Sequence, residues 1–147
     1  MNGARLTLSV PAFRLLAAAW IVALVATLAA LFIGEVMGKA PCTLCWYQRI
    51  AMFPLALILG VAALDGDRTG VRYGLPLALA GLAFAAWHSL LFAGVIPEAI
   101  KPCTRDGPSC SGPDMTLFGW LPIPYLALAA FAMIAALLTL SLRSNRQ

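Results

Sequence analysis

Four stretches of this chain run 15 residues or more without a charged side chain, and they constrain its fold more than any other feature. The first extends from Leu15 to Ile33, 19 residues between Arg14 and Glu35. At about 1.5 Å per residue, a helix of that length nearly crosses a hydrocarbon core of about 30 Å. The second is apolar from Ile50 to Leu64 and reaches spanning length only if its helix starts at Cys45 and carries Arg49 in its opening turns. The third, from Tyr73 to Ile96, is interrupted by His88 alone; Pro76 is expected in its first helical turn and Pro97 marks its end. The fourth, Leu121 to Leu142, has Pro122 and Pro124 at its entrance. Lipid offers no partner to backbone N–H and C=O groups, so such stretches must be helical. The expected fold class is an all-α integral membrane protein, a four-transmembrane-helix bundle. It forms one membrane domain over 1–147, with spans at about 15–33, 45–64, 73–96 and 121–142 and outer loops at 34–44 and 97–120.

Composition agrees. The chain is 62% hydrophobic and 11% charged, where a soluble domain is about 45–50% apolar and about 25% charged. A net charge of +4 might suggest nucleic acid, but the basic residues form no run and no stripe interleaved with aromatic residues, so no nucleic-acid partner is expected. They report orientation instead. The tails and the loop 65–72 hold Arg5, Arg14, Arg68, Arg72, Arg143 and Arg146, against Lys39, Arg49, Lys101 and Arg105 on the opposite side. The positive-inside rule therefore places both termini in the cytoplasm. A cleaved signal peptide is the rival reading of the first stretch, but its apolar length exceeds the usual h-region of about 7 to 15 residues. Asp65-Gly66-Asp67-Arg68-Thr69-Gly70 is turn chemistry, so spans two and three should form an antiparallel hairpin.

With this topology all four cysteines, Cys42, Cys45, Cys103 and Cys110, fall in the two outer loops. Thiols outside the cytoplasm meet an oxidising compartment and tend to pair. Four cysteines allow three pairings; the spacings favour two local pairs, with two residues between Cys42 and Cys45 and six between Cys103 and Cys110. Exchange between thiols and disulfides needs a thiolate, which a helix N-terminus and a nearby cation both favour. Arg49 lies four residues after Cys45 on the same helix face, within reach of its sulfur or of a negative ligand beside it. The bland reading of Arg49 is a side chain snorkelling to head groups. The segment around Cys103 and Cys110 is rich in Pro and Gly, which suits a disulfide that meets a soluble partner; a structural staple is the alternative.

Trp46 and Tyr47 fit the aromatic belt of a membrane interface, and Trp46 equally fits the wall of a site for a flat-ring ligand beside Cys45. Gln48 has a simple reading as a hydrogen-bond partner for a neighbouring helix. His88 is the one ionisable residue within the third span, and an ionisable group in lipid is a functional candidate by default. It lies nine residues before Pro97, about 13 Å from the outer end of a helix that ends there.

The run Pro41-Cys42-Thr43-Leu44-Cys45-Trp46-Tyr47-Gln48-Arg49-Ile50, followed by Met52 and Pro54-Leu55, resembles the disulfide bond formation protein B (DsbB) family, and more closely its short BdbC-type members. The resemblance extends to Cys103 and Cys110 with Gly107 between them, then to Gly119-Trp120 and Ile123-Pro124. It implies a membrane thiol:quinone oxidoreductase in a bacterial cytoplasmic (inner) membrane, with its cysteine loops on the periplasmic side. The partners implied are a DsbA-like thioredoxin-fold dithiol oxidase, membrane lipid and the respiratory quinone pool. The cofactor implied is a quinone, ubiquinone or menaquinone. By motif position, Cys103 takes the partner into a mixed disulfide, Cys110 exchanges with Cys42, and Cys45 meets the quinone. Arg49 matches the family's arginine at the quinone, and His88 resembles a third-helix histidine near it. Better-known members carry a longer second outer loop with widely separated cysteines; the short spacing here agrees with the short members.

Two other classes compete. Four thiolates could form a Cys₄ zinc site, although the spacing from Cys103 to Cys110 is looser than usual and an oxidising compartment opposes four reduced thiols; no metal is expected. Alternatively, both pairs are inert structural disulfides, which leaves Arg49 beneath the CxxC without a purpose. Trp46 directly after Cys45, in place of histidine, excludes c-type haem attachment.

Overall fold

A computed structural model describes residues 8–96, 108–112 and 115–144. Among these the elements are α1 (Val10–Leu31), continued by a π-helical turn at Phe32–Val36, then α2 (Thr43–Asp65), α3 (Arg68–Phe92), β1 (Thr116–Leu117), β2 (Leu121–Pro122) and α4 (Ile123–Ser144). All four α-helices are long and apolar enough to cross a membrane. The chain is a four-helix membrane bundle in which α1 and α3 each pack against both α2 and α4. The strands form a short antiparallel ribbon ahead of α4, pairing Thr116 with Pro122 and Leu117 with Leu121.

The helix ends differ from those expected, for identifiable reasons. α1 begins at Val10 rather than Leu15, because extended Ser9 and then Pro11 provide a start before Arg14. The loop expected at 65–72 contracts to Gly66 and Asp67. Gly66 takes the left-handed conformation (φ 63°) that ends α2. Asp67 caps α3 by accepting from the Thr69 backbone N–H (2.9 Å) and hydroxyl (2.8 Å). Pro76 consequently sits in the third turn of α3, not its first. Counting charges treats Arg68 and Arg72 as loop residues, whereas long basic side chains can reach water from a helix end. At its other end α3 stops at Phe92, short of Pro97. There the Gly94 N–H bonds Leu91 O and the Val95 N–H bonds Leu90 O, a Schellman closure around Gly94 (φ 73°).

Small residues bring the helices close, as association in lipid requires. Gly81 of α3 faces the Phe131 ring so closely that a Cβ there would overlap it, and a Cβ at Gly74 would crowd a terminal methyl of Leu59. Around these contacts Leu16, Leu55, Leu59, Val71, Phe131 and Leu138 form the buried interior. One end of the bundle is tied by the Leu8 N–H to Gly66 O (3.4 Å) and the Ser141 hydroxyl to Ala12 O (2.9 Å). These bonds gather the start of α1, the α2–α3 turn and the end of α4. The opposite end carries the start of α2, the end of α3 and the described cysteines.

Candidate functional site

Cys42 is the N-cap of α2. Its backbone is extended (φ −71°, ψ 170°), and its Sγ accepts the Cys45 N–H at 3.3 Å, as an N-cap side chain accepts from the third helical residue. The two-residue gap of the CxxC is thus the spacing of a helix cap. The helix begins at Thr43, two residues earlier than the expected Cys45, so the sulfur at the positive helix end belongs to Cys42. Cys42 and Cys45 are free thiols with their sulfurs 2.8 Å apart. The Cys42 thiol is drawn well below the usual range, to about 5, chiefly by the hydrogen bond from the Cys45 thiol. His88 and the Cys45 N–H add to this, and burial opposes it.

His88 lies four residues from the end of α3, much nearer the outer end than a helix running to Pro97 would put it. Its ring is fully buried. Nδ1 accepts from the Gln48 side-chain nitrogen at 3.1 Å, and Nε2 donates to the Cys110 carbonyl at 3.1 Å while standing 3.9 Å from Cys42 Sγ. Cys42 Sγ, Cys110 Sγ and the His88 ring nitrogen all lie within 4.8 Å of one another. Cys110 is disulfide-bonded; Cys103 lies outside the described residues. A disulfide sulfur offers no thiolate to a metal, so the trio as it stands is arranged for sulfur exchange rather than coordination. Leu44, Leu91 and Met115 enclose it.

Cys45 is half-buried and adjoins Met115, whose Sδ is 4.0 Å from its sulfur. The Lys39 ammonium donates to Thr116 O at 2.8 Å, strapping the first outer loop to the ribbon that follows Met115. Arg49 lies on another flank of α2. Its position is turned about 100° from Gln48 but only about 40° from Cys45. Its guanidinium donates to Ala30 O on α1 at 2.7 Å and lies over the Trp46 ring, 5.4 Å from the centroid. Trp46 is largely exposed, and Tyr47 stacks on Phe84 of α3 (5.3 Å, 26°).

The structure therefore brings Cys42, Cys45, Cys110 and His88 together, with Arg49 and Trp46 on the far side of Cys45. Sequence reasoning likened His88 to a third-helix histidine near the quinone; its ring meets Cys42 and the Cys110 carbonyl. It also missed Met115 and the strap from Lys39, which carry no pattern. Gln48 and His88 gave one usable signal: two polar side chains in neighbouring apolar spans need partners, and each is the other's.

The family model for disulfide bond formation protein DsbB matches residues 12–141. A probable disulfide formation protein of Metapseudomonas resinovorans is 60% identical over 126 residues, covering 86% of this chain and 88% of its own. Disulfide bond formation protein C of Bacillus subtilis is 45% identical over 117 residues, covering 80% of this chain and 84% of its own. A probable disulfide formation protein of Deinococcus radiodurans is 46% identical over 129 residues. No solved structure matches the chain.

Proposed function

The chain belongs to the disulfide bond formation protein DsbB family, and on that premise we propose that it is a membrane thiol:quinone oxidoreductase reoxidising a DsbA-like thioredoxin-fold dithiol oxidase on the periplasmic side of a bacterial inner membrane. The observation that carries this reading is the meeting of Cys42 and Cys110 sulfurs beside His88, within 4.8 Å.

The exchanges balance as follows. A thiolate of the reduced partner attacks Cys103 of a Cys103–Cys110 disulfide, and Cys110 leaves as thiolate. The partner's second thiol resolves the mixed disulfide, so the partner departs oxidised and Cys103 is left reduced. The Cys110 thiolate attacks Cys42 of an oxidised Cys42–Cys45 pair, and Cys45 leaves. Cys103 then attacks Cys110, restoring that disulfide and releasing Cys42. Two electrons now reside on the CxxC, the redox pattern of this structure, in which Cys110 is bonded and Cys42 and Cys45 are thiols.

His88 serves the exchange by holding Cys110 through its carbonyl beside Cys42. The lowered thiol of Cys42 makes it the better leaving group when Cys103 attacks. A quinone, ubiquinone or menaquinone, supplies the acceptor for the two electrons and two protons. The residues fit such a ring: a half-buried guanidinium beside an exposed indole offers hydrogen bonds to a carbonyl oxygen and a flat wall next to Cys45. Arg49 places positive charge where negative charge develops as Cys45 gives up its electrons.

The test is oxidation of a reduced thioredoxin-fold partner by the purified protein, first anaerobically and then with added quinone, following the quinone's absorbance. Stoichiometric loss of quinone absorbance with partner oxidation is expected. Partner oxidation that proceeds equally without quinone overturns the acceptor.

A further inference from the structure

We infer that the π-helical turn Phe32–Val36 positions the Arg49 guanidinium for electron transfer from Cys45, with Ala30 and Gly34 as the residues that hold it. This deepens the quinone reading above and rests on it.

Separate observations converge on the turn. π-helical turns are rare and occur frequently at functional sites. Here the Met37 N–H reaches back five residues to Phe32 O at 3.0 Å. The turn closes the end of α1 that faces the start of α2. Ala30 O, one residue before the end of α1, accepts from Arg49 Nη2 at 2.7 Å. Gly34 lies against the same group: a Cβ added there would stand 2.9 Å from Nη2 and 3.4 Å from Nη1. The Trp46 ring faces Cζ at 5.4 Å.

A snorkelling arginine would extend along its helix towards water. Arg49 instead reaches sideways to a backbone carbonyl of the neighbouring helix, into a place that a Cβ at position 34 would crowd. One Nη2 hydrogen is committed to Ala30, while a guanidinium carries five N–H donors in a rigid plane. Fixing one donor and one face orients the others before any negative charge appears. A donor so placed costs no reorganisation during the reaction, which is what makes electrostatic stabilisation effective. Gly34 and Ala30 are positioning residues: they act through Arg49.

Gly34→Ala is the direct test, because alanine is the better helix former and disfavours neither α1 nor its insertion. The added methyl should displace the guanidinium and lower turnover at saturating quinone by about tenfold, with the KM for quinone within about twofold. Exchange between the partner and the Cys103–Cys110 pair, followed without quinone, should be unchanged. In an Arg49→Lys background the same substitution should have no further effect, since its target is gone. Unaltered turnover at saturating quinone, or the same factor in both backgrounds, overturns the inference. Nitrogen NMR of the arginine side chain gives a reading independent of turnover. A slowly exchanging Arg49 Nη2–H bonded to Ala30 should be present in the parent protein and lost in Gly34→Ala; its persistence overturns the inference. If the parent protein reduces no quinone at all, the proposed acceptor falls, and the NMR result still decides the positioning.

Discussion

Gln48 donates to Nδ1 of His88 across the α2–α3 interface at 3.1 Å, which places the ring proton on Nε2, facing the Cys110 carbonyl. One buried imidazole thereby joins two membrane helices to the segment that brings a disulfide sulfur to Cys42. Its orientation is set by a residue that touches no sulfur.

Gln48→Leu removes the donor and leaves Nδ1 buried without a partner. The expected cost is about 1–3 kcal/mol in unfolding free energy from mixed micelles. Exchange between Cys110 and Cys42 should slow in parallel, because a ring free to turn no longer holds the Cys110 carbonyl. Stopped-flow measurement of that exchange checks it; an unchanged rate would detach Gln48 from the site.

Cys42 should stay ionised into mild acid. With its thiol at about 5, the ultraviolet thiolate absorbance of the reduced protein should fall to half near that pH rather than in the usual thiol range. Cys45→Ala removes the largest cause and should shift the profile upward, which the same absorbance reads directly. A folded-state value below the unfolded one stabilises the reduced chain fully above the unfolded thiol's range, and that contribution disappears as the pH falls through about 5.

Cys45→Ser should abolish electron delivery to quinone while the Cys103–Cys110 pair still forms a mixed disulfide with the partner. Cys110→Ser should act one step earlier, leaving Cys103 without an internal disulfide to open. Gel mobility of trapped complexes distinguishes the two, and quinone reduction persisting in Cys45→Ser would remove that sulfur from the pathway.

Gly81→Ala tests the packing. The new methyl meets the Phe131 ring, and overpacking of this kind costs about 1–3 kcal/mol. Less folded protein with normal activity per folded molecule is expected, since Gly81 lies about two turns from His88 along α3.

The four-helix bundle was legible in the sequence because lipid leaves a long apolar stretch no alternative to a helix. The helix ends were less so. Arg68 and Arg72 read as loop residues, although the Asp67 cap starts α3 at once after the turn. The CxxC stood out, but the helix starts at Thr43 rather than Cys45, and that start makes Cys42 the cap of α2. His88 was visible as an ionisable residue in a span, yet its neighbours are set by the early end of α3 at Phe92. The π-helical turn carried no pattern along α1, and the group that Gly34 lies against, the Arg49 guanidinium, belongs to another helix.

Cys42 is wholly enclosed, and the Cys110 beside it is nearly so. A small thiol dissolved in the surrounding fluid cannot touch the Cys42 sulfur without dislodging the side chains that wall it. Such insulation restricts what Cys42 can exchange with to the sulfurs packed beside it.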